Sequence, residues 1–398
     1  MLQKVVWAGT YHTSFSAAAE SLEVLAETPL SAKQVRRITT YVGEDRVVER
    51  RAQVTTFKNK TLMERTTAKP GIEPPEVGVL MLDNGTHQRR DHFGEPGKKT
   101  HWKQETGGLA LSMTSLVHEQ DPCPDFPDWL FASDVVAEIA NLAHRQDNPG
   151  NKGDSCPEAE ASPLATTDDS GETNKAGFDW TPAIVSREVI ASIEGTDIAR
   201  HLESVAWEHG ITAAPRQAFV ADGASSIWAI HKKYFSQMTG ILDLMHGLSY
   251  AYRAAAVLDE AGLYRRWALA IWQGRVGDVL TELKQHQERL GAPPPDTSAD
   301  DPRHRIHRAV TYYTHHRSRM NYPEYRRLGL PITSSLMEST IKQLSQRIKG
   351  TEKFWNKTTA NAILQLRADL LSDSTPLRAF WSRWEQKITG TNRYRTCT

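Results

Sequence analysis

The chain is poor in cysteine. Cys123, Cys156 and Cys397 are the three in 398 residues, far apart and in no CxxC pair. That spacing argues against a disulfide scaffold and a zinc ribbon and fits a reducing compartment, the cytoplasm. No run of about 18 apolar residues exists, so no membrane-spanning helix is expected. No charged stretch followed by an apolar core opens the chain, so no signal peptide is read there. HExxH is also missing. The histidines of the basic segment 304–320 (His304, His307, His315, His316) therefore lack zinc-site spacing and are read as surface or DNA-facing groups. No internal repeat is visible. Net charge is absent as well, with 48 Lys and Arg against 48 Asp and Glu.

That balance hides an asymmetry. Residues 301–398 hold eighteen Lys and Arg against seven Asp and Glu, whereas acids dominate 121–174. A basic C-terminal part suits a polyanionic partner, because phosphate neutralisation carries most non-specific nucleic-acid affinity. A solvated charged surface gives the same pattern. The length allows two or three domains, or one large domain with insertions.

Residues 1–62 read as helical. Ser14–Leu25 is Ala- and Leu-rich, a break follows at Glu27-Thr28-Pro29-Leu30, and Ser31 caps a basic second helix. Helix, short turn and capped basic helix is the outline of a helix-turn-helix, with Lys33, Arg36 and Arg37 where a recognition helix touches DNA. A Pro/Gly-containing linker (63–75) leads to Val77–Leu82, an apolar run suited to a buried strand. Asn84-Gly85 is a hairpin signal, which makes Asp83 either a turn residue or a carboxylate at a strand edge. Thr86–Arg90 and Trp102–Val117 supply two further strands of an antiparallel meander. Residues 119–177 hold one helix (Ser133–His144) and then a run with the composition of a flexible acidic insertion. Thr181–His209 is helical in pattern. Ala218–Ala221 is a short strand followed by Asp222, then come a helix (Ile227–Phe235), the strand Gly240–Leu244 and a helix carrying His246. That is a βαβ unit, with Asp222 at the strand end where ligands of open α/β sheets collect. Most of 250–320 is helical and rich in Trp, Arg and Leu. Trp267 and Trp272 read as core, or as platforms for a flipped base.

Pro331–Trp355 reads as one helix. Met337, Ile341, Leu344 and Ile348 form its apolar stripe, and Glu338, Lys342, Ser345 and Lys349 a polar one. Ser335 and Glu338 fit a capping box; alternatively Glu338 is a metal ligand heading a basic face.

Taken together, VGVLMLDNGTHQRR, WKQETGGLALSM, FVADGASSIWAIHKKYF, GILDLMHGLSYAY and YRRLGLPITSSLMESTIKQLSQRIKGTEKFW resemble DDE transposases of bacterial insertion sequences, the Kra-type group above all. The likeness covers roughly 76–118 and 200–385. It implies an RNase H-like α/β core, with three antiparallel strands and then parallel ones, flanked by helices. Added to this are an N-terminal helix-turn-helix and a mostly helical insertion before the last catalytic helix. The implied segments are 1–70 (DNA-binding helices and linker), 76–118 and 178–250 (core), 119–177 (acidic insertion), 251–325 (helical insertion) and 326–398 (Glu helix and C-terminal helices). Asp83, Asp222 and Glu338 become ligands of two Mg²⁺ or Mn²⁺ ions, with His246 of Asp243-x-x-His246 beside them. Lys342, Arg347 and Lys349 would line the DNA. The implied partners are transposon ends and target duplex, with a homodimer or higher oligomer assembled on them. The Y-x2-R-x3-E-x6-K pattern of another transposase group is absent, since Ser345 stands where its Lys would be. A same-fold nuclease or resolvase, or an inactive DNA-binding remnant, are the alternatives.

Overall fold

The computed structural model describes residues 1–90, 102–147, 180–295, 298–350 and 353–389. Cys156, Cys397 and most of the acidic insertion lie outside the described residues. The helices and strands are, in order, α1 Leu2–Tyr11, α2 Phe15–Ala26, α3 Ala32–Lys58, α4 Leu62–Thr66, β1 Val77–Arg89, β2 Trp102–Thr114, α5 Ser133–Asp147, β3 Ala183–Ser192, α6 Gly195–Glu208, β4 Arg216–Ala221, α7 Ser225–Tyr234, β5 Thr239–Leu242, α8 Leu244–Ala256, α9 Leu263–Trp272, α10 Val276–Leu290, α11 Pro302–His316, α12 Tyr322–Arg327, α13 Ser335–Ile348, β6 Phe354–Trp355, α14 Lys357–Leu371 and α15 Pro376–Thr389. This is a mixed α/β protein with a six-stranded mixed sheet flanked by helices. No helix of the described residues is long and apolar enough to cross a membrane.

Two compact units divide the chain. The first comprises Met1–Ser112, Ile184–Ala214 and Thr340–Thr398; the second comprises Met113–Ala183 and Pro215–Ser339. In the first, β2 lies between β3 and β1, and β6 pairs parallel with β1 at Gln88↔Phe354 and Arg89↔Trp355. Thr106 donates to Asn84, a Cβ on Gly85 would meet Glu105, and one on Gly108 would meet Leu82. Partners that advance on one strand while they retreat on the other make β1 and β2 antiparallel.

The Asn84-Gly85 hairpin is not formed: β1 runs through it to Arg89. Gly85 serves space rather than a turn, because its Cβ would lie 2.8 Å from Glu105 Oε1. The expected second strand is therefore the continuation of β1, the expected third, Trp102–Val117, is β2, and β3 arises inside a segment read as helical. Ile184, Val185, Val189 and Ile190 suit a pleated strand, and periodicity over so few residues does not separate the two states.

At the N-terminus the capping chemistry is local and is realised. Ser14 Oγ accepts from Ala17 N, Glu27 ends α2 in the left-handed region (φ 47°), and Ser31 with Gln34 forms a capping box for α3. α1, α2 and α3 share a core of Val5, Ala8, Ala18, Leu22 and Val35. A second cluster, Val6, Val42, Leu366, Leu377, Phe380 and Trp381, packs α1 and α3 on α14 and α15. Gly43 permits this approach, since a Cβ there would fall 2.7 Å from the Ala362 carbonyl oxygen.

In the second unit β4 and β5 pair parallel from Ala218↔Thr239 to Ala221↔Leu242, with α7 as crossover, as the βαβ reading expects. Trp267 and Trp272 are core residues, each 1% exposed; their indole N–H groups donate to Glu282 and to the Cys123 carbonyl. His316 is not a surface group either. It is 7% exposed against Tyr312 and Trp228, and burial, with Arg319 nearby, holds its pKa down at about 4. An unfolded histidine protonates near 6.5. The folded chain refuses that proton, so this contribution is complete above about pH 6.5 and is lost as pH falls from there toward 4, to about 3 kcal/mol. Urea titrations across that window should show the loss, and His316→Gln should flatten it.

Candidate functional site

Three features of the second unit converge on one cluster. β4 ends at Ala221, and Asp222 follows. Its Oδ1 accepts from Ala224 N (2.9 Å), and its carbonyl accepts from Trp228 Nε1 (2.6 Å). Both bonds tie the loop to the start of α7. Gly223 is obligatory here, because a Cβ would lie 2.3 Å from the Tyr312 ring.

β5 ends one residue before Asp243, which caps α8. Asp243 Oδ1 accepts from His246 N (2.8 Å), while Oδ2 accepts from the backbone N and the hydroxyl of Ser334. Leu244 N also donates to the Ile332 carbonyl (3.0 Å). One carboxylate, 1% exposed, thus joins the first turn of α8 to the first turn of α13.

α13 begins one residue earlier in its hydrogen bonding than a Ser335 cap requires. Met337 N and Glu338 N both donate to the Ser334 carbonyl. Ser334 is therefore the cap and Met337 the third helical residue, so Glu338 is one position too late for the box. Its side chain turns to His246 instead, with Oε1 3.4 Å from Nε2. Burial alone would lower the pKa of His246. The hydrogen bond to Glu338 and the charges of Asp243, Glu338 and Asp222 more than reverse this, raising it to about 10. At neutral pH the site holds an imidazolium among carboxylates.

The structure thus brings Asp222, His246 and Glu338 together, with Asp243 and Ser334 behind them. Asp83 lies in the first unit, within β1. Its Oδ1 accepts from Asn84 N (2.6 Å). Four positions further along β1, His87 meets Glu105 of β2 at 3.0 Å, both side chains buried. Neither residue was singled out in the sequence, because a cross-strand pair has no short-range signature.

Among the basic residues, Lys33, Arg36 and Arg37 are exposed on the first turns of α3, and Lys342 and Lys349 are half-buried on or just after α13. Arg347 does not face DNA. It is 2% exposed, donates to the Gly9 and Thr13 carbonyls and stacks over Phe15 at 4.1 Å. Its burial follows from its neighbours at helical spacing, Leu344 and Ile348, which face the core.

The donors fit a hard divalent cation in kind. Asp222 and Glu338 are half-buried carboxylates at a strand end and a helix start, and oxygen ligands of this type suit Mg²⁺ or Mn²⁺. Among the described residues no three His, Cys, Asp or Glu side chains are already gathered around one cation position. Comparison with models of known protein families and with curated proteins gives no match for the chain.

Proposed function

We propose that the chain is a DDE-type transposase with an RNase H-like core. In this reading it binds the ends of an insertion sequence, cleaves there and transfers the 3′-hydroxyls to target DNA. The observation that carries the proposal is the Asp222–His246–Glu338 cluster, built at the ends of β4 and β5 and the start of α13. It supports, from geometry, two of the three carboxylates that the sequence resemblance assigns. Asp83 is the third that this reading requires.

In the mechanism, Asp222 and Glu338, with Asp83, would hold two Mg²⁺ or Mn²⁺ ions. When bound, these supply an activated water or 3′-hydroxyl and stabilise the leaving oxygen of an in-line displacement. The chain's own groups do the rest. The imidazolium of His246 sits against Glu338 and offsets the repulsion between the acids. Asp243 fixes both the His246 backbone and the start of α13. Lys342 and Lys349 supply positive charge along the helix that carries Glu338, and Lys33, Arg36 and Arg37 lie exposed for duplex phosphates. The partners are double-stranded DNA ends and target DNA, with two or more copies assembled on them, in the bacterial cytoplasm.

The test uses the purified full-length chain, Mg²⁺, and labelled duplexes taken from the DNA that flanks its own coding sequence. Expected is nicking at the ends followed by joining to a supercoiled plasmid. Nicks without joined product would replace this reading with a nuclease or resolvase. Binding without nicks would leave a DNA-binding remnant.

A further inference from the structure

The first unit presents an apolar surface that neither its core nor the reading above uses. Helices α1, α2 and α15 border a groove of about 590 Å³. Leu22, Leu377 and Trp381 are buried in its floor, and Trp7, Lys4 and Arg378 stand exposed on its rim. Trp7 is 49% exposed and stacks on Tyr11 of the same helix, with centroids 4.6 Å apart and planes 10° from parallel. The stack holds the indole in one orientation. A preset, half-exposed Trp beside a groove is the kind of side chain that anchors protein interfaces.

A ridge lies beside the groove. α2 turns Ala18, Ala19 and Leu22 into the core. Ala17, Ser21, Val24 and Leu25 recur at helical spacing on a neighbouring face of α2. Val24 is 72% exposed and Leu25 82%, and Leu25 also borders the groove. Adjacent large apolar groups held out in water mark a surface that another surface covers.

The charges say which surface. Glu20 flanks the ridge, and Glu23 and Glu27 follow on α2; all three are exposed. Lys4 and Arg378 flank the groove. None of these five side chains has an ion-pair or hydrogen-bond partner among the described residues. A nucleic acid laid here would meet three free acids, which repel its phosphates. A surface with an acidic ridge next to a basic groove is instead complementary to itself, as a two-fold contact between identical subunits requires.

We propose that the face formed by α1, α2 and α15 is a two-fold interface between two copies of this chain. The α2 ridge of each copy fills the groove of the other, with Val24 and Leu25 against Trp7 and Glu20 facing Lys4 and Arg378. The interface is independent of the transposase reading, because nothing in it needs DNA or a metal ion.

The test is sedimentation velocity of the purified full chain without DNA, across the micromolar range. The wild-type chain is expected to be a dimer that dissociates on dilution. Leu25→Glu puts a charge on the ridge and is expected to weaken the dimer by about thirtyfold or more, the size of a hot-spot loss. Lys4→Glu and Glu20→Lys are each expected to weaken it when alone. Mixed one to one, they are expected to recover a heterodimer, since the exchanged charges then face each other again on both sides of the axis. A merely structural role for either residue gives no recovery on mixing. If Leu25→Glu does not fold, the charge exchange between two exposed side chains decides alone. A monomeric wild-type chain overturns the inference and leaves the groove to another partner. A dimer of wild-type strength in folded Leu25→Glu, or an absence of recovery on mixing, overturns it equally. Each of these results leaves cleavage and duplex binding untested, so the transposase reading stands or falls separately.

Discussion

Replacing Asp222 with Asn should abolish Mg²⁺-dependent cleavage while leaving duplex binding at the wild-type level. The argument turns on what the carboxamide keeps. Asparagine has the same shape, and its oxygen can still accept from Ala224 N, so the loop after β4 retains its tie to α7. The Trp228 bond to the residue-222 carbonyl involves only backbone on that side and is untouched. Stability should therefore change by less than about 1 kcal/mol, within the range of one modest hydrogen-bond adjustment. The negative charge is what disappears. A cation bound by carboxylates loses one of them, and the cost should exceed the roughly 10–100-fold typical of removing an outer-shell partner of a metal site. Two effects thus separate cleanly: cleavage lost by well over a hundredfold, and the melting and binding curves superimposed on wild type. Cleavage within tenfold of wild type would show that Asp222 is not a ligand. A parallel loss of binding would show that the substitution had disturbed the DNA surface rather than the chemistry.

The βαβ unit around Asp222 was legible because every part of its signal is short-range. An apolar run precedes Asp-Gly, α7 is just long enough to cross over, and β5 is followed by Asp243 at the N-cap position of α8. Asp243-x-x-His246 is also an N-cap geometry, which the bond from His246 N to Asp243 Oδ1 realises. The misreadings lie where a long-range partner decides. Asn84-Gly85 looks like a hairpin until Glu105 claims the space above Gly85. Ser335 looks like a cap until Ser334 N and Oγ find Asp243, ninety-one residues away, and shift the helix start by one. Arg347 looks like one of three basic residues on a DNA-facing stripe. It is instead turned inward between Leu344 and Ile348, where the carbonyls of Gly9 and Thr13 satisfy it. In this last case a polar group was read as DNA-facing because its buried partners sit in a remote segment. Sequence periodicity reports which face is apolar, but it carries no record of which polar groups are matched across the core.

Asp243→Ala should be the most damaging substitution outside the three carboxylates proposed as metal ligands. Asp243 is buried and accepts from three donors, namely His246 N, Ser334 N and Ser334 Oγ. Loss of the helix cap costs about 1 kcal/mol. The stranded Ser334 donors, which are buried, cost about 2 kcal/mol more. An overall destabilisation of about 3 kcal/mol should appear as a shift of the urea midpoint, with the slope unchanged. The second consequence is electrostatic. His246 is held at about 10 by Glu338, Asp243 and Asp222 against the lowering effect of burial, so removing one of these acids should bring it down by about a pH unit or more. With folded pKa raised, the imidazolium's contribution to stability is complete below about pH 6.5 and disappears as pH rises through the folded value. In the variant that decline should still begin near pH 6.5 but end at a correspondingly lower pH, so that less stability is lost across it. NMR titration of the His246 ring follows it directly. Cleavage should fall together with these, because Glu338 reaches the site from a helix whose first turn Asp243 anchors. If His246 titrates as in wild type while stability falls, Asp243 is a cap and nothing more. If the ring titrates lower and cleavage falls in step, the buried aspartate sets both the position and the charge of the His246–Glu338 pair.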